Sequence, residues 1–398
     1  MSLPLEEQTL EQKVIMAAGE LHSWLLNDAL PVWAEAGRDA ETGEFVETVT
    51  LEAPRATTAP RRARVQPRQI YVYLESSALG WDGPGHEIAR KALDFYLGEY
   101  LTADETSISS RDPETGQKNE AFDLYNQAFA LFAYGCVARR QPEQGGTFLN
   151  KARSLLQHLR ATYSHSDGGF QEASPAKAPL RSNPHMHLFE AALELEQSDT
   201  STVWCELADE IADLALTCFI DPLTGGLREF FDLNWSPMPG TSGRIMEPGH
   251  QFEWAWLLAR WGLLRKRADA LMAARRLYQI GEQFGVDPDR QVAIMALNDD
   301  MSVHDPIARL WGQTEWIKAA IILARISVGP EQDAYLNDIL RSVAALRMYL
   351  DGVSAGLWRD KMRPDGSFVE EPAPASSFYH ILCAISELHA FAEDLRAS

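Results

Sequence analysis

Cysteine is scarce in this sequence: there are four in 398 residues, Cys136, Cys205, Cys218 and Cys383. They are scattered and show no CxxC spacing, which reads as free thiols in a reducing compartment rather than a disulfide frame or a zinc knuckle. No run approaches the ~20 apolar residues of a membrane span. The opening Met-Ser-Leu-Pro-Leu-Glu-Glu has no basic stretch followed by an apolar one, so no secretory leader is expected and a cytoplasmic location is. Basic residues are in deficit, 36 Lys and Arg against 57 Asp and Glu, for a net charge of −21. So acidic a surface repels phosphate backbones and anionic lipid heads, and neither nucleic acid nor membrane is expected as a partner. The one dense basic patch is Arg61, Arg62, Arg64 and Arg68. The first three could meet a phosphate or sulfonate; a surface loop is the plainer reading. Also missing are G-x-G-x-x-G after a strand, a phosphate-cradling G-x-x-x-x-G-K-S/T and a G-x-S-x-G elbow, so no cofactor is expected.

What the chain does have is amphipathic helix. Apolar residues recur at three- and four-residue spacing over 11–33, 85–100, 119–139, 183–195, 203–218, 251–264, 268–284, 310–326, 332–348 and 378–397. Long strands with period-two alternation are absent. Between the helices recur short Asp/Asn/Gly segments at 41–45, 112–116, 167–170, 221–227 and 356–360, with 298–305 as a degenerate sixth. These are turn signals. Their spacing, one helix pair plus a loop, predicts about six units. A helix pair cannot bury both faces alone, so stacked pairs share a core. The pattern predicts an all-α chain, one (α/α)6 barrel over 1–398, with short β-hairpin loops gathered at one rim around a central cavity; an open solenoid is the competing arrangement, and the polar and aromatic residues of the loops favour closure. Residues 50–67 read as a long loop.

Five segments join polar groups to aromatics more densely than a plain core requires. In Arg64-Val-Gln-Pro-Arg68, Pro67 marks a helix start and places Arg68 in its first turn, before an aromatic run. Tyr125 and Phe129 share one helix face. In Arg181-Ser-Asn183-Pro-His-Met-His187-Leu-Phe-Glu190, Asn183 is expected to cap a helix, and His187 and Glu190 lie one turn apart. His-x-His spacing could hold a metal, but residues two apart on a helix diverge, which favours hydrogen bonding to a substrate oxygen. In Glu247-Pro-Gly-His250-Gln-Phe-Glu253, His250 starts a helix, with Glu253 one turn on, where a carboxylate can raise the imidazole pKa and fix its tautomer. In Ser376-Ser377-Phe-Tyr-His380, a serine cap puts His380 in the first turn, where the positive helix end lowers its pKa. Trp311-Gly-Gln-Thr-Glu315-Trp adds polar groups on an aromatic helix.

Together these segments resemble the N-acylglucosamine 2-epimerase superfamily, from Arg64 to the last helix. The specific parts are Glu247-Pro-Gly-His-Gln-Phe-Glu-Trp-Ala-Trp256, Asn183-Pro-His-Met-His187 and Ser377-Phe-Tyr-His380. The resemblance implies an (α/α)6 barrel and metal-independent proton transfer at C1/C2 of a monosaccharide. It implies His250 and His380 as the acid/base pair, with Glu253 assisting His250. Arg68, Asn183 and His187 would bind the sugar and its enediolate oxygens, and Tyr125, Trp311 and Glu315 would contribute to binding. Asn-Pro-His-Met-His is similar to the mannose isomerase-like branch, which favours aldose–ketose isomerisation over 2-epimerisation. Two other readings start from the residues alone. A glycoside hydrolase could draw its carboxylate pair from Glu247, Glu253 and Glu315, although the histidine pair argues against it. A non-catalytic sugar-binding protein could use the same aromatics. Exposed helical faces of this kind also suit a homodimer.

Overall fold

The computed structural model describes residues 8–397. Its helices are α1 Leu10–Trp24, continued through a π turn into α2 Leu30–Ala36, then α3 Val65–Ser76, α4 Gly85–Glu99, α5 Leu124–Arg140, α6 Pro142–Tyr163, α7 Ser182–Glu196, α8 Val203–Leu214, α9 Pro248–Arg265, α10 Ala268–Gly285, α11 Leu310–Arg325, α12 Pro330–Leu350 and α13 Ser376–Ala397. Strands are two or three residues long and pair in antiparallel fashion.

The odd-numbered helices from α3 to α13 form an inner ring in which each packs on the next and α13 returns to α3. The intervening helices lie outside, and α1 closes the circle by packing on α13 and α12. Sequence composition explains the two layers. Nearly every residue of α9 from Pro248 to Gly262 is buried, polar ones included, because this helix meets neighbours on all sides. In α10 the buried set is Ala270, Ala274, Leu277, Tyr278, Ile280, Gly281 and Gly285, one stripe against the inner ring.

One device repeats around the barrel. Five outer helices end in a small antiparallel turn bridged at Arg38–Phe45, Leu101–Ser107, Ser164–Phe170, Ile220–Leu227 and Val286–Ala293, and α12 ends in a turn that the Arg359 N–H closes on the Tyr349 carbonyl at 2.9 Å. An inner-helix glutamine then clamps the far side of the turn. Gln66, Gln127, Gln251 and Gln313 each accept from the backbone N–H and donate to the C=O of Phe45, Ser107, Leu227 and Ala293, at 2.7–2.9 Å. At α7 the position is His185, whose Nε2 accepts from the Phe170 N–H at 3.0 Å.

The six repeats and the hairpin rim match the sequence expectation; two of the turn positions do not. The segments at 112–116 and 298–305 are tips of additional hairpins, and their equivalents are 101–107 and 286–293. Helix α6 was not among the expected segments; Pro142 occupies its first position, where the missing N–H costs nothing.

Candidate active site

The inner helices present their first turns to the hairpin rim, where a cavity of about 260 Å³ opens at the barrel axis. Arg68, Tyr125, Asn183, His187, His250, Glu253, Trp311 and His380 all line it. Eight of the nine side chains singled out from the sequence therefore converge; Glu315 is the exception.

His250 sits in the first turn of α9, fully enclosed, with Nδ1 3.0 Å from Glu229 Oε2 and 3.6 Å from Glu247 Oε2. The nearer contact is out of line for a hydrogen bond, so the attraction is between charges. Burial alone would depress the imidazole, but the Glu229 and Glu247 carboxylates outweigh it and raise its pKa to about 10. Burial, reinforced by Glu229, holds the Glu247 carboxyl up near 7. Glu229 is itself oriented by the Ser182 hydroxyl at 3.0 Å.

His380, the fifth residue of α13, is the opposite case. Its Nδ1–H donates to Glu315 Oε1 at 2.9 Å, which leaves Nε2 as the bare nitrogen. Burial pushes its pKa well below the ordinary histidine value, and the charges of Arg68 and Lys318 act in the same direction. Glu315 is fully buried one turn beneath Trp311, so the indole takes the place at the cavity wall and Glu315 supports His380 from behind. The expectation that it touches the sugar is thus overturned. Lys318, also fully buried, places Nζ 2.5 Å from Glu315 Oε2 and 4.0 Å from the Trp256 ring centre.

The expected pairing of Glu253 with His250 is also corrected. Glu253 lies deeper, 4.0 Å from His187 Nδ1, with both oxygens buried and without a hydrogen-bond partner. Burial, with Glu315 adding to it, raises its pKa well above the carboxylate range. His187 donates from Nδ1 to Glu190 Oε2 at 3.2 Å, and the Tyr379 hydroxyl donates to the other oxygen of Glu190. Burial lowers His187 to about 4.

Arg68 donates to the Ser376 carbonyl at 3.4 Å and to the Tyr125 hydroxyl, and its guanidinium carbon lies 4.1 Å from the Phe129 ring centre. Among the described residues it has no carboxylate partner. Asn183 is the second residue of α7 rather than its cap, with Oδ1 buried and unpartnered. Trp311 bridges the two catalytic candidates, its ring centre 5.0 Å from that of His250 and 6.0 Å from that of His380.

The sequence reading missed part of the lining. Arg62 and Arg64 are not a free surface loop: together with Arg181 and Arg309 they line the cavity, paired with Glu47, Asp123, Glu172 and Asp360. Arg61 is buried against Glu44. Three groups bring ligand atoms within 4.8 Å: His187–Glu190–Glu253, Glu229–Glu247–His250 and Glu253–Glu315–His380. They fit a metal poorly. Nδ1 of His187 and of His380 carries a proton to a carboxylate, and His250 is a cation at neutral pH, so none offers a lone pair there. No helix among the described residues is long and apolar enough to cross a membrane.

Comparison with known proteins places this geometry. The chain is 49% identical over 375 residues, 94% of its own length and 97% of the relative's, to a protein of Rhizobium meliloti (strain 1021) named mannose-6-phosphate isomerase. The solved structure of a D-mannose isomerase superposes with a TM-score of 0.83 at 16% identity, covering 98% of this chain and 100% of that one. Cellobiose 2-epimerase from Bacillus thermoamylovorans B4167 superposes at 0.82 with 16% identity, covering 94% and 99%. These two likenesses establish the barrel fold. The family model for N-acylglucosamine 2-epimerase (GlcNAc 2-epimerase) matches residues 43–384. On that match and the relative's identity across nearly the whole chain, this protein belongs to the N-acylglucosamine 2-epimerase family and is a sugar isomerase or epimerase.

Proposed function

We propose that this enzyme interconverts a mannose-type aldose and the corresponding ketose by proton transfer between histidines. The carrying observation is the split between His250 and His380, which face one cavity with pKa values driven in opposite directions. Groups whose environments push their pKa values apart divide into acid and base.

One histidine helps open the pyranose ring. In the open aldose, His380 Nε2 takes the proton from C2. The C2–H electron pair becomes the C1=C2 bond, and the carbonyl oxygen takes a proton from the His250 imidazolium. The cis-enediol forms with its developing negative charge facing Arg68, the electrostatic contribution that usually weighs most, while His187 accepts a hydrogen bond from a sugar hydroxyl. Neutral His250 then accepts the proton of the C2 hydroxyl, the C2=O bond forms, and His380 returns its proton to C1.

The sugar carries an anionic group, and a phosphate remote from C1 fits best. Arg62, Arg64, Arg68, Arg181 and Arg309 all line the cavity of a chain whose net charge is −21. Four of these guanidiniums already meet carboxylates, so the reading rests on Arg68 and on Arg64 and Arg181, which share Asp123 and can give a phosphate forked hydrogen bonds.

The test is incubation with mannose and mannose 6-phosphate in heavy water. Ketose formation with deuterium at C1 of the ketose and at C2 of the recovered aldose is the expected result. His250→Ala or His380→Ala should cost about 10²–10⁴-fold while the fold survives. Appearance of only the C2 epimer would replace isomerisation with epimerisation, and binding without C2 exchange would end the enzymatic scheme.

A further inference from the structure

Gly249 lies between Pro248 and His250 in the first turn of α9, and its backbone gives no reason for glycine. It is not among the glycines with positive φ. Inside a helix, alanine is ordinarily better by about 1 kcal/mol. The reason for glycine lies across the gap, on α11. A methyl at position 249 would stand 2.4 Å from Trp311 Cζ3, 2.5 Å from Cη2 and 3.1 Å from Cε3, closer than carbon atoms approach.

The helix start has no room to retreat. A methyl on Gly285 of α10 would meet Pro248 Cβ at 2.4 Å and Cγ at 2.5 Å, so α10 already presses on the residue beside Gly249. On the α11 side, a methyl on Gly312 would come within 4.0 Å of the Gly249 Cα, so the two helices meet glycine to glycine beside the indole. The Trp311 ring is held between α9 and the cavity, tilted 40° to both His250 and His380. If α9 fills the seat, the open direction for the ring is into the cavity.

We propose that Gly249 is a positioning residue for this reaction: its missing side chain seats the Trp311 ring, and the seated ring sets the gap between His250 and His380 that the sugar bridges. This rests on the isomerase reading of the site above.

The experiment is a double-mutant cycle of Gly249→Ala, Trp311→Leu and the pair, reading kcat and KM for aldose conversion and, separately, sugar binding by calorimetry. One added methyl in a pocket is worth about 10- to 200-fold in discrimination. Gly249→Ala should lower kcat/KM within that range, with KM carrying more of the loss than kcat, while its melting temperature stays at or above wild type. In the Trp311→Leu background the same change should fall within about twofold of neutral, because the ring it displaces is gone. Wild-type turnover by Gly249→Ala, or an equal loss in both backgrounds, overturns the proposal. Should Gly249→Ala fail to fold, a folded double variant with the activity and sugar affinity of Trp311→Leu supports it, and an unfolded one overturns it. Should the wild type bind sugar without C1/C2 exchange, the isomerase reading fails, while coupling between positions 249 and 311 is still read from the calorimetry.

Discussion

His250 Nδ1 lies 3.0 Å from Glu229 Oε2, and the two side chains come from opposite ends of one hairpin, Glu229 following the turn at Leu227 and His250 opening the next helix. This contact, together with Glu247, makes the imidazole a cation at neutral pH. With a pKa raised to about 10, the acid form persists through the neutral range and is lost only as pH climbs past that value. His380 is depressed, so its base form survives below the ordinary histidine value of about 6.5. The pH profile of kcat/KM should therefore show its basic limb near 10 and no limb from His380 at 6.5. Glu229→Gln removes the nearer charge and should move the basic limb downward. An unmoved limb would take Glu229 out of the acid's environment.

Lys318 and Glu315 carry opposite charges in a place with no exposure to solvent. Burial penalises both, and each holds the other ionised. Removing one partner leaves the other uncompensated, which typically costs about 3–5 kcal/mol. Lys318→Met should lose stability on that scale in denaturant unfolding. Lys318→Met combined with Glu315→Gln should lose less, because no bare carboxylate remains. The pair variant should nonetheless turn over slowly, since His380 no longer has an ionised acceptor for its Nδ1–H. A double variant less stable than Lys318→Met alone would contradict this account.

The fold was legible because helical periodicity and a recurring turn are local signals, and six copies of them left few ways to bury the apolar faces. The cavity was legible where polar residues start inner helices, as with Arg68, Asn183, His250 and His380. What local pattern could not reveal was which carboxylate meets which histidine. Glu253 sits one turn from His250 in sequence and suggested a pair, but α9 is buried all round, so that turn points Glu253 toward His187 on the neighbouring helix. Glu229 comes from the preceding hairpin and had no periodic signal of its own. It had a positional one: it lies two residues past the bridged turn residue Leu227, as Glu47 lies past Phe45, Glu172 past Phe170 and Met295 past Ala293. Alternation along an extended strand sends each of these side chains to the rim, where Glu47 and Glu172 meet lining arginines and Met295 lines the cavity itself.

The arginines of that rim predict a charge preference. Arg64 and Arg181 share Asp123, at 3.2 Å and 3.5 Å, so one carboxylate is divided between two guanidiniums. Burial lowers the Arg64 pKa, Arg62 and Arg68 add to it, and the three guanidiniums crowd one wall of the cavity. A phosphate relieves that crowding. Arg64→Leu should reduce kcat/KM for mannose 6-phosphate by about 10- to 100-fold, the value of a charged hydrogen bond, and reduce it less for mannose. Added salt should slow the phosphorylated substrate selectively. Equal losses for both sugars would remove the phosphate from the substrate.

The last expectation concerns the histidine that stands where the other repeats have glutamine. His185 occupies the fourth position of α7, as Gln127, Gln251 and Gln313 do in α5, α9 and α11. Its Nδ1–H donates to the Arg181 carbonyl at 2.8 Å while Nε2 accepts from Phe170, so it is held neutral with both nitrogens engaged. Burial lowers its pKa to about 4, against about 6.5 in the unfolded chain. Below 6.5 the unfolded state therefore takes up a proton that the folded state refuses, and stability falls as pH drops toward 4, by about 3 kcal/mol from this group. His187, depressed in the same way, adds to the slope. His185→Gln should keep the clamp on Phe170, since an amide makes the same bond elsewhere in the ring, and it has no proton to gain. Its stability at neutral pH should match wild type within about 1 kcal/mol, and its acid unfolding midpoint should move to lower pH. An unchanged midpoint with an intact fold would mean that His185 titrates normally and that its enclosure is looser than its two hydrogen bonds imply.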